Sequence, residues 1–184
     1  MTTKHLQEKL LEFIRPSYPE MEIEVIESTD NKRHLYFTDR KFADLFQQQR
    51  YHNLVNLIPK DFFENELTDT LWHELAPGET PEDLHSHNTE TVESMKEIIL
   101  KILSQRTNFV TQLDNLFLTK EAVCFGDFRH SKQILNELKF TLDEQFDIFH
   151  VLMHEGGFCD CEILYNTFKE TGYGKKYWME KTNK

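Results

Sequence analysis

The spacing of apolar residues changes character near residue 86, and this constrains the fold of the 184-residue chain more than any other feature. Upstream of that point, helical and strand spacings alternate. Leu6, Leu10, Leu11, Phe13 and Ile14 recur at helical intervals, and Pro16 ends the run because its ring cannot continue a helix. From Glu22 to Glu27, Ile23 and Val25 turn one way and the glutamates the other, as in a half-buried strand. Asp30-Asn31-Lys32 reads as a turn, with Arg33 to Thr38 as the hairpin partner. Phe42 to Ile58 returns to helical spacing, and Pro59 closes it. Thr70 to Leu75 reads as a third strand, and Thr80-Pro81-Glu82-Asp83 as a helix start with Pro at its first position. The order helix, strand, strand, helix, strand, helix predicts an α+β sandwich over residues 1–86.

Downstream, only helical spacing remains. Polar His85-Ser86-His87-Asn88-Thr89 marks the boundary, and an all-α domain is expected over 87–184. Val92, Met95, Ile98, Ile99, Ile102 and Leu103 form one stripe, with Asn88 or Thr89 as N-cap. Phe109 to Phe117 forms a second stripe. Ile134, Leu135 and Leu138 form a third, capped by Ser131. Thr141-Leu142-Asp143-Glu144 is a capping box opening a fourth helix, which Gly156-Gly157 ends. Glu162 to Phe168 reads as one more short helix. The basic, aromatic tail Lys175-Lys176-Tyr177-Trp178 reads as a solvated C-terminus.

Composition excludes several classes of function. Acidic residues outnumber basic ones 32 to 21, for a net charge of -11, so most of the surface would repel a phosphate backbone. Three cysteines in a chain of this length do not make a disulfide scaffold. The first residues carry no apolar leader, and no run approaches the roughly 18 apolar residues of a membrane span. A reduced, soluble, cytoplasmic protein is expected, with no membrane partner and no nucleic-acid partner.

The chemistry concentrates in Gly156-Gly157-Phe158-Cys159-Asp160-Cys161-Glu162. Cys159 and Cys161 lie one residue apart, and Cys124 and His130 lie upstream. Thiolate and imidazole are ligands that zinc and iron prefer, and a Cys₃His set closes a tetrahedral structural zinc site. Cys124, His130, Cys159 and Cys161 are therefore the expected metal ligands, with zinc as the ion and an iron–sulfur centre as the lesser alternative. Asp160 is placed to cap the helix that begins near Cys161. His150 and His154 share a helix face and could replace His130. His85 and His87 could chelate weakly. Against the metal stand two other readings: the cysteines could be buried small hydrophobes, or Cys159 and Cys161 a redox pair. No nucleophile elbow, phosphate loop or dinucleotide fingerprint is present, and no catalytic residue is assigned.

Two resemblances add to this. Cys124 to Thr167 resembles a small bacterial domain of unknown function. That domain carries a Cys, a His, two helices and then the run that stands here as Gly156-Gly157-Phe158-Cys159-Asp160-Cys161-Glu162-Ile163-Leu164-Tyr165-Asn166. Residues 4–84 resemble BolA-like domains through Asp39-Arg40-Lys41-Phe42, Gln49-Arg50-Tyr51-His52, Leu71-Trp72-His73-Glu74-Leu75 and Thr80-Pro81-Glu82-Asp83. This second resemblance implies a role in iron–sulfur trafficking with monothiol glutaredoxins, in which a strand histidine ligates the shared cluster; His73 holds that position. The chain departs from that family in a very short hairpin loop, in the spacing of Arg50 and His52, and in a longer helix-to-strand connection.

Together these readings predict a binding or accessory protein with a Cys/His metal site and a protein partner. The alternatives are a thiol-based redox enzyme or sensor and a metal-free interaction module.

Overall fold

A computed structural model of the chain describes residues 1–28, 32–84 and 87–182. The turn expected at Asp30-Asn31 and the boundary residues His85-Ser86 lie outside the described residues. The chain forms two compact units, Met1–Ser86 and His87–Lys184.

In the first unit, α1 spans Thr3–Ile14, β1 Glu22–Glu27 and β2 Arg33–Thr38. They are followed by α2 at Gln47–Val55, α3 at Lys60–Glu66 and β3 at Thr70–Leu75. The strands lie in the order β1-β2-β3. β1 and β2 form an antiparallel hairpin, and β3 joins β2 in parallel. A parallel neighbour needs a crossover connection, which α2 and α3 supply. Leu35 and Phe37 of β2 face α1 residues Leu6, Leu10 and Ile14 in a core that also takes Ile23, Phe42 and Leu54. Trp72 closes its edge against Phe37 and Phe63, with ring centroids 4.9 and 5.9 Å away.

The helix expected from Phe42 is shorter than its apolar spacing suggests. Phe42 ends a single 3₁₀ turn, Arg40–Phe42, capped by Asp39. The α-helix begins only at Gln47, where the Gln49 side chain accepts the Phe46 N–H. α3 follows Pro59, where the spacing showed only a stop. Thr80-Pro81-Glu82-Asp83 opens one 3₁₀ turn and no longer helix.

The second unit is helical: α4 Thr89–Lys101, α5 Phe109–Leu118, α6 Arg129–Glu137, α7 Leu142–His154, α8 Asp160–Glu162 and α9 Gly172–Thr182. α4 runs on into a π-turn at Ile102–Arg106, and α8 into one at Ile163–Thr167. Asn88 caps α4 through its side chain on the Thr91 N–H. Thr141 and Glu144 close their capping box at the start of α7. Phe109, Leu113, Phe128, Leu135, Phe149, Leu152, Ile163 and Leu164 are buried in this unit, with Phe128 stacked on Phe149 at 4.5 Å.

Two elements depart from expectation. Ser131 does not cap α6, which starts two residues earlier. The tail is not simply solvated: it forms α9, whose first N–H groups, Gly172 and Tyr173, donate to Asp114 of α5 at 3.0 and 2.8 Å. Tyr177 stacks on Tyr165 at 3.9 Å, and the Trp178 indole donates to the Tyr165 carbonyl.

Candidate metal centre

Three turns of backbone bring the cysteines together. Cys124 sits in the connection between α5 and α6, Cys159 immediately precedes α8, and Cys161 lies within it. The chain turns sharply between α7 and α8. Gly156, at φ +84°, takes the left-handed conformation that a Cβ disfavours. Gly157 permits a close approach: a Cβ there would meet the Ile163 Cα at 3.1 Å and the Leu152 carbonyl at 3.2 Å. The Asn166 amide donates to the Gly156 carbonyl, and the Glu162 carboxylate accepts the Phe158 N–H.

Asp160 holds this turn against α6. Its carboxylate is 1% exposed and accepts the N–H groups of His130 and Ser131 at 3.0 and 2.9 Å. The residue therefore caps α6, not the helix in which it lies. Its own N–H donates to the Asp127 carbonyl. Burial raises the Asp160 pKa, and the Ser131 side chain together with the Ser131 and His130 N–H groups pulls it back. Capping rules look within a few residues of the helix start, so a cap supplied from 30 residues away was invisible to them. Asp127 is itself clamped by Arg129, which lies 3.7 Å over the ring of Phe125.

The resulting sulfur triangle is tight. Cys124 and Cys161 lie 2.9 Å apart, Cys159 and Cys161 3.3 Å, and Cys124 and Cys159 3.5 Å. All three are free thiols; Cys159 is buried and the others half-buried. Hydrogen bonds from Cys159 and Cys161, against the resistance of burial, hold Cys124 far below the usual thiol range, with help from the N–H groups of Gly126 and Cys161. The partners move the other way. Cys159 is pushed up by its bonds to Cys124 and Cys161 and by burial. Cys161 is pushed up to about 12, first by its bond to Cys124. Ionisation of Cys124 is thus favoured over that of its two partners. Ionising the others would set like charges side by side, at about 5 kcal/mol per pair for an effective dielectric of roughly 20. A cation removes that cost.

The expected fourth ligand is elsewhere. The groups that could hold an ion together among the described residues are Cys124, Cys159 and Cys161 alone. His130 is next to them in the chain path, but its Nε2 bonds the Val123 carbonyl at 3.2 Å. His150 is buried with Nδ1 on the Phe146 carbonyl, and His154 pairs with Glu93 and Glu155. His87 pairs with Asp147 at 2.7 Å, and His85 lies outside the described residues. In the first unit, His73 Nε2 sits 3.0 Å from His34 Nδ1 on the neighbouring strand, and Tyr36 stacks on the His73 ring. Burial and His34 both lower the His73 pKa.

A cleft of about 320 Å³ opens beside Cys124. Phe117, Tyr173 and Tyr177 form its aromatic walls, and Lys120, Lys176 and Glu180 bring charge to it. Sequence reasoning missed this feature because α9 supplies half of it.

The fold and site thus define a helical unit that gathers three thiols, with no fourth ligand grouped with them among the described residues. Residues 116–166, which span the triangle and its Asp160 anchor, match the family described as protein of unknown function (DUF2695). No curated protein and no solved structure matches the chain. Among the described residues, no helix is long and apolar enough to cross a membrane.

Proposed function

We propose that the protein is a cytoplasmic binding or accessory protein whose C-terminal domain, residues 87–184, holds one zinc ion on Cys124, Cys159 and Cys161. The sulfur triangle carries this reading. Tetrahedral zinc with bonds of about 2.3 Å sets its sulfurs about 3.8 Å apart, so the Cys124–Cys161 pair at 2.9 Å must part by roughly 0.9 Å and the other two pairs by about half an ångström or less to receive it. A cluster ligated by four cysteines would spread its sulfurs over several irons, and this triangle fits one ion. His130 supports the ligand loop through its bond to Val123 and is not required as a ligand.

Elemental analysis of untagged protein, with a thiol count on the same sample, tests this. About one zinc per chain is expected, with thiols masked until chelation or denaturation. Cys159→Ser should strip the metal and lower the melting temperature. Unchanged metal content in that variant overturns the reading.

The 2.9 Å approach of Cys124 to Cys161 favours a second reading, a thiol redox centre in which these two exchange a disulfide with a substrate. Metal-free protein with rapid, selective alkylation of Cys124 would put this reading first.

For the N-terminal domain, residues 1–86, the facing His34 and His73 nitrogens support a BolA-like role. There His73 would ligate an iron–sulfur cluster shared with a protein partner. His73→Ala should abolish cluster-dependent complex formation with a monothiol glutaredoxin; an unaffected complex would remove His73 from that role.

A further inference from the structure

The ion site and the cleft share one residue, Cys124. It supplies a corner of the sulfur triangle and a wall of the cleft. Three sulfurs leave one position of a tetrahedral ion unfilled, and an unfilled position is what separates a site open to ligands from a closed structural one. No carboxylate or imidazole joins the three sulfurs among the described residues, and the nearest histidine in the chain path spends its Nε2 on a carbonyl. Among the described residues the fourth position is thus left to a ligand from outside the chain, and the cleft lies on the Cys124 side.

Resting on the metal reading above, we propose that the fourth position takes a low-molecular-weight thiol bearing a carboxylate. Its sulfur would sit on the ion and its carboxylate on Lys120 and Lys176. The volume of about 320 Å³ suits a ligand of this size and is too small for a folded partner. A fourth soft donor matches the three already present. Lys120 and Lys176 bring two cations to the cleft against one carboxylate, Glu180, within a chain of net charge -11, and they are the groups that would pair with a ligand's carboxylate. Tyr173 and Phe117 pack at 5.2 Å and form one wall of the cleft. Asp114 fixes that wall by holding the Tyr173 N–H. On a bound ion the probe would add its sulfur as the fourth ligand, its thiol proton passing to solvent, with Lys120 and Lys176 holding the carboxylate.

Full-length protein loaded with cobalt(II) reports the fourth ligand directly through its tetrahedral absorption. Titration with 3-mercaptopropionate should raise the sulfur-to-cobalt charge-transfer band to saturation, with the cobalt still on the protein after desalting. Propionate should leave the band unmoved, and ethanethiol should bind at least tenfold more weakly. The double variant Lys120→Glu, Lys176→Glu should take up cobalt normally and weaken mercaptopropionate at least tenfold, while ethanethiol binding stays the same. Failure to load cobalt at all would sink the metal reading instead. Three outcomes with loaded cobalt overturn the proposal alone. The first is a spectrum insensitive to the probe but changed by His130→Ala, which places an internal ligand. The second is equal affinity for the two thiols. The third is transfer of the cobalt to the probe.

Discussion

The Arg50 cluster of the N-terminal unit and the sulfur triangle of the C-terminal unit both bury polar atoms, and they are completed in different ways. Arg50 donates through Nε to the Leu45 carbonyl, through Nη1 to the Glu74 carbonyl, and through both Nη atoms to Glu79 at 2.5 and 3.0 Å. Glu79 also accepts the Ala76 N–H. Charge and donors are thus balanced within the unit, as burial of a guanidinium requires. The sulfurs have only each other and two backbone N–H groups. The contrast is between a polar cluster that satisfies itself and one whose sulfurs could hold a metal ion.

Breaking the first cluster should therefore have the largest effect. Arg50→Met leaves Glu79 and two carbonyls without their donor, and is expected to cost about 3–5 kcal/mol. Urea unfolding of the full chain measures it. Adding Glu79→Gln should recover part of the loss, because the stranded charge is gone. Zinc content should not change. A cost near that of the exposed Lys60–Glu64 pair on α3, roughly 0.5 kcal/mol or less, would mean that Arg50 is not the keystone of this unit.

The N-terminal cluster has one flaw, which sharpens the comparison. Glu74 faces the same region from β3, fully buried, and its Oε1 has no hydrogen-bond partner. Burial pushes its pKa to about 7, against the opposing pull of its own N–H and of Arg50. Glu74 in turn raises the pKa of Tyr51, and Arg50, which lowers that of Glu74, also bonds Glu79. With the folded pKa above the unfolded one, the fold favours the protonated acid. This contribution is whole below about pH 4.5 and is lost as the pH rises through 7. A shift of this size corresponds to about 3 kcal/mol. Stability of the N-terminal unit should fall between pH 5 and pH 8, and Glu74→Gln should flatten the profile and stabilise the unit at pH 8. A wild-type profile as flat as the variant's would show that Glu74 is ionised at little cost.

What the sequence made legible follows the same division. The strand at 22–27 was readable because one face packs on a core, and alternation records that burial. The capping box at Thr141 and the stop at Gly156 were readable because donors and acceptors lie within one turn of each other. Phe42 was misleading: it is apolar and correctly spaced, yet it is buried from a 3₁₀ turn before the helix. α9 was hidden because Gly172 and Gly174 disfavour helix and its tethers, Asp114 and Tyr165, lie far off or before the tail. At the site, the residue types pointed to the three cysteines. His130 was drawn in by proximity along the chain, while the long-range role of Asp160 left no local signature.

Asp160 also supplies, in the metal-free protein, the smallest of these effects and the one that best separates scaffold from ligand. Asp160→Asn keeps the side-chain shape but leaves one acceptor oxygen for two N–H groups, His130 and Ser131. The lost charge-assisted bond should cost the metal-free C-terminal unit about 2 kcal/mol. Because the same residue fixes the backbone between Cys159 and Cys161, zinc affinity should fall roughly tenfold as well, adding about 1.4 kcal/mol to the cost in the loaded protein. Thermal melts with and without zinc, on variant and parent, give the difference. A larger loss in the loaded state means that the anchor is part of the binding site. An equal loss in both states means that the turn is rigid without Asp160, so the sulfurs are gathered by the glycine pair and Asn166 alone.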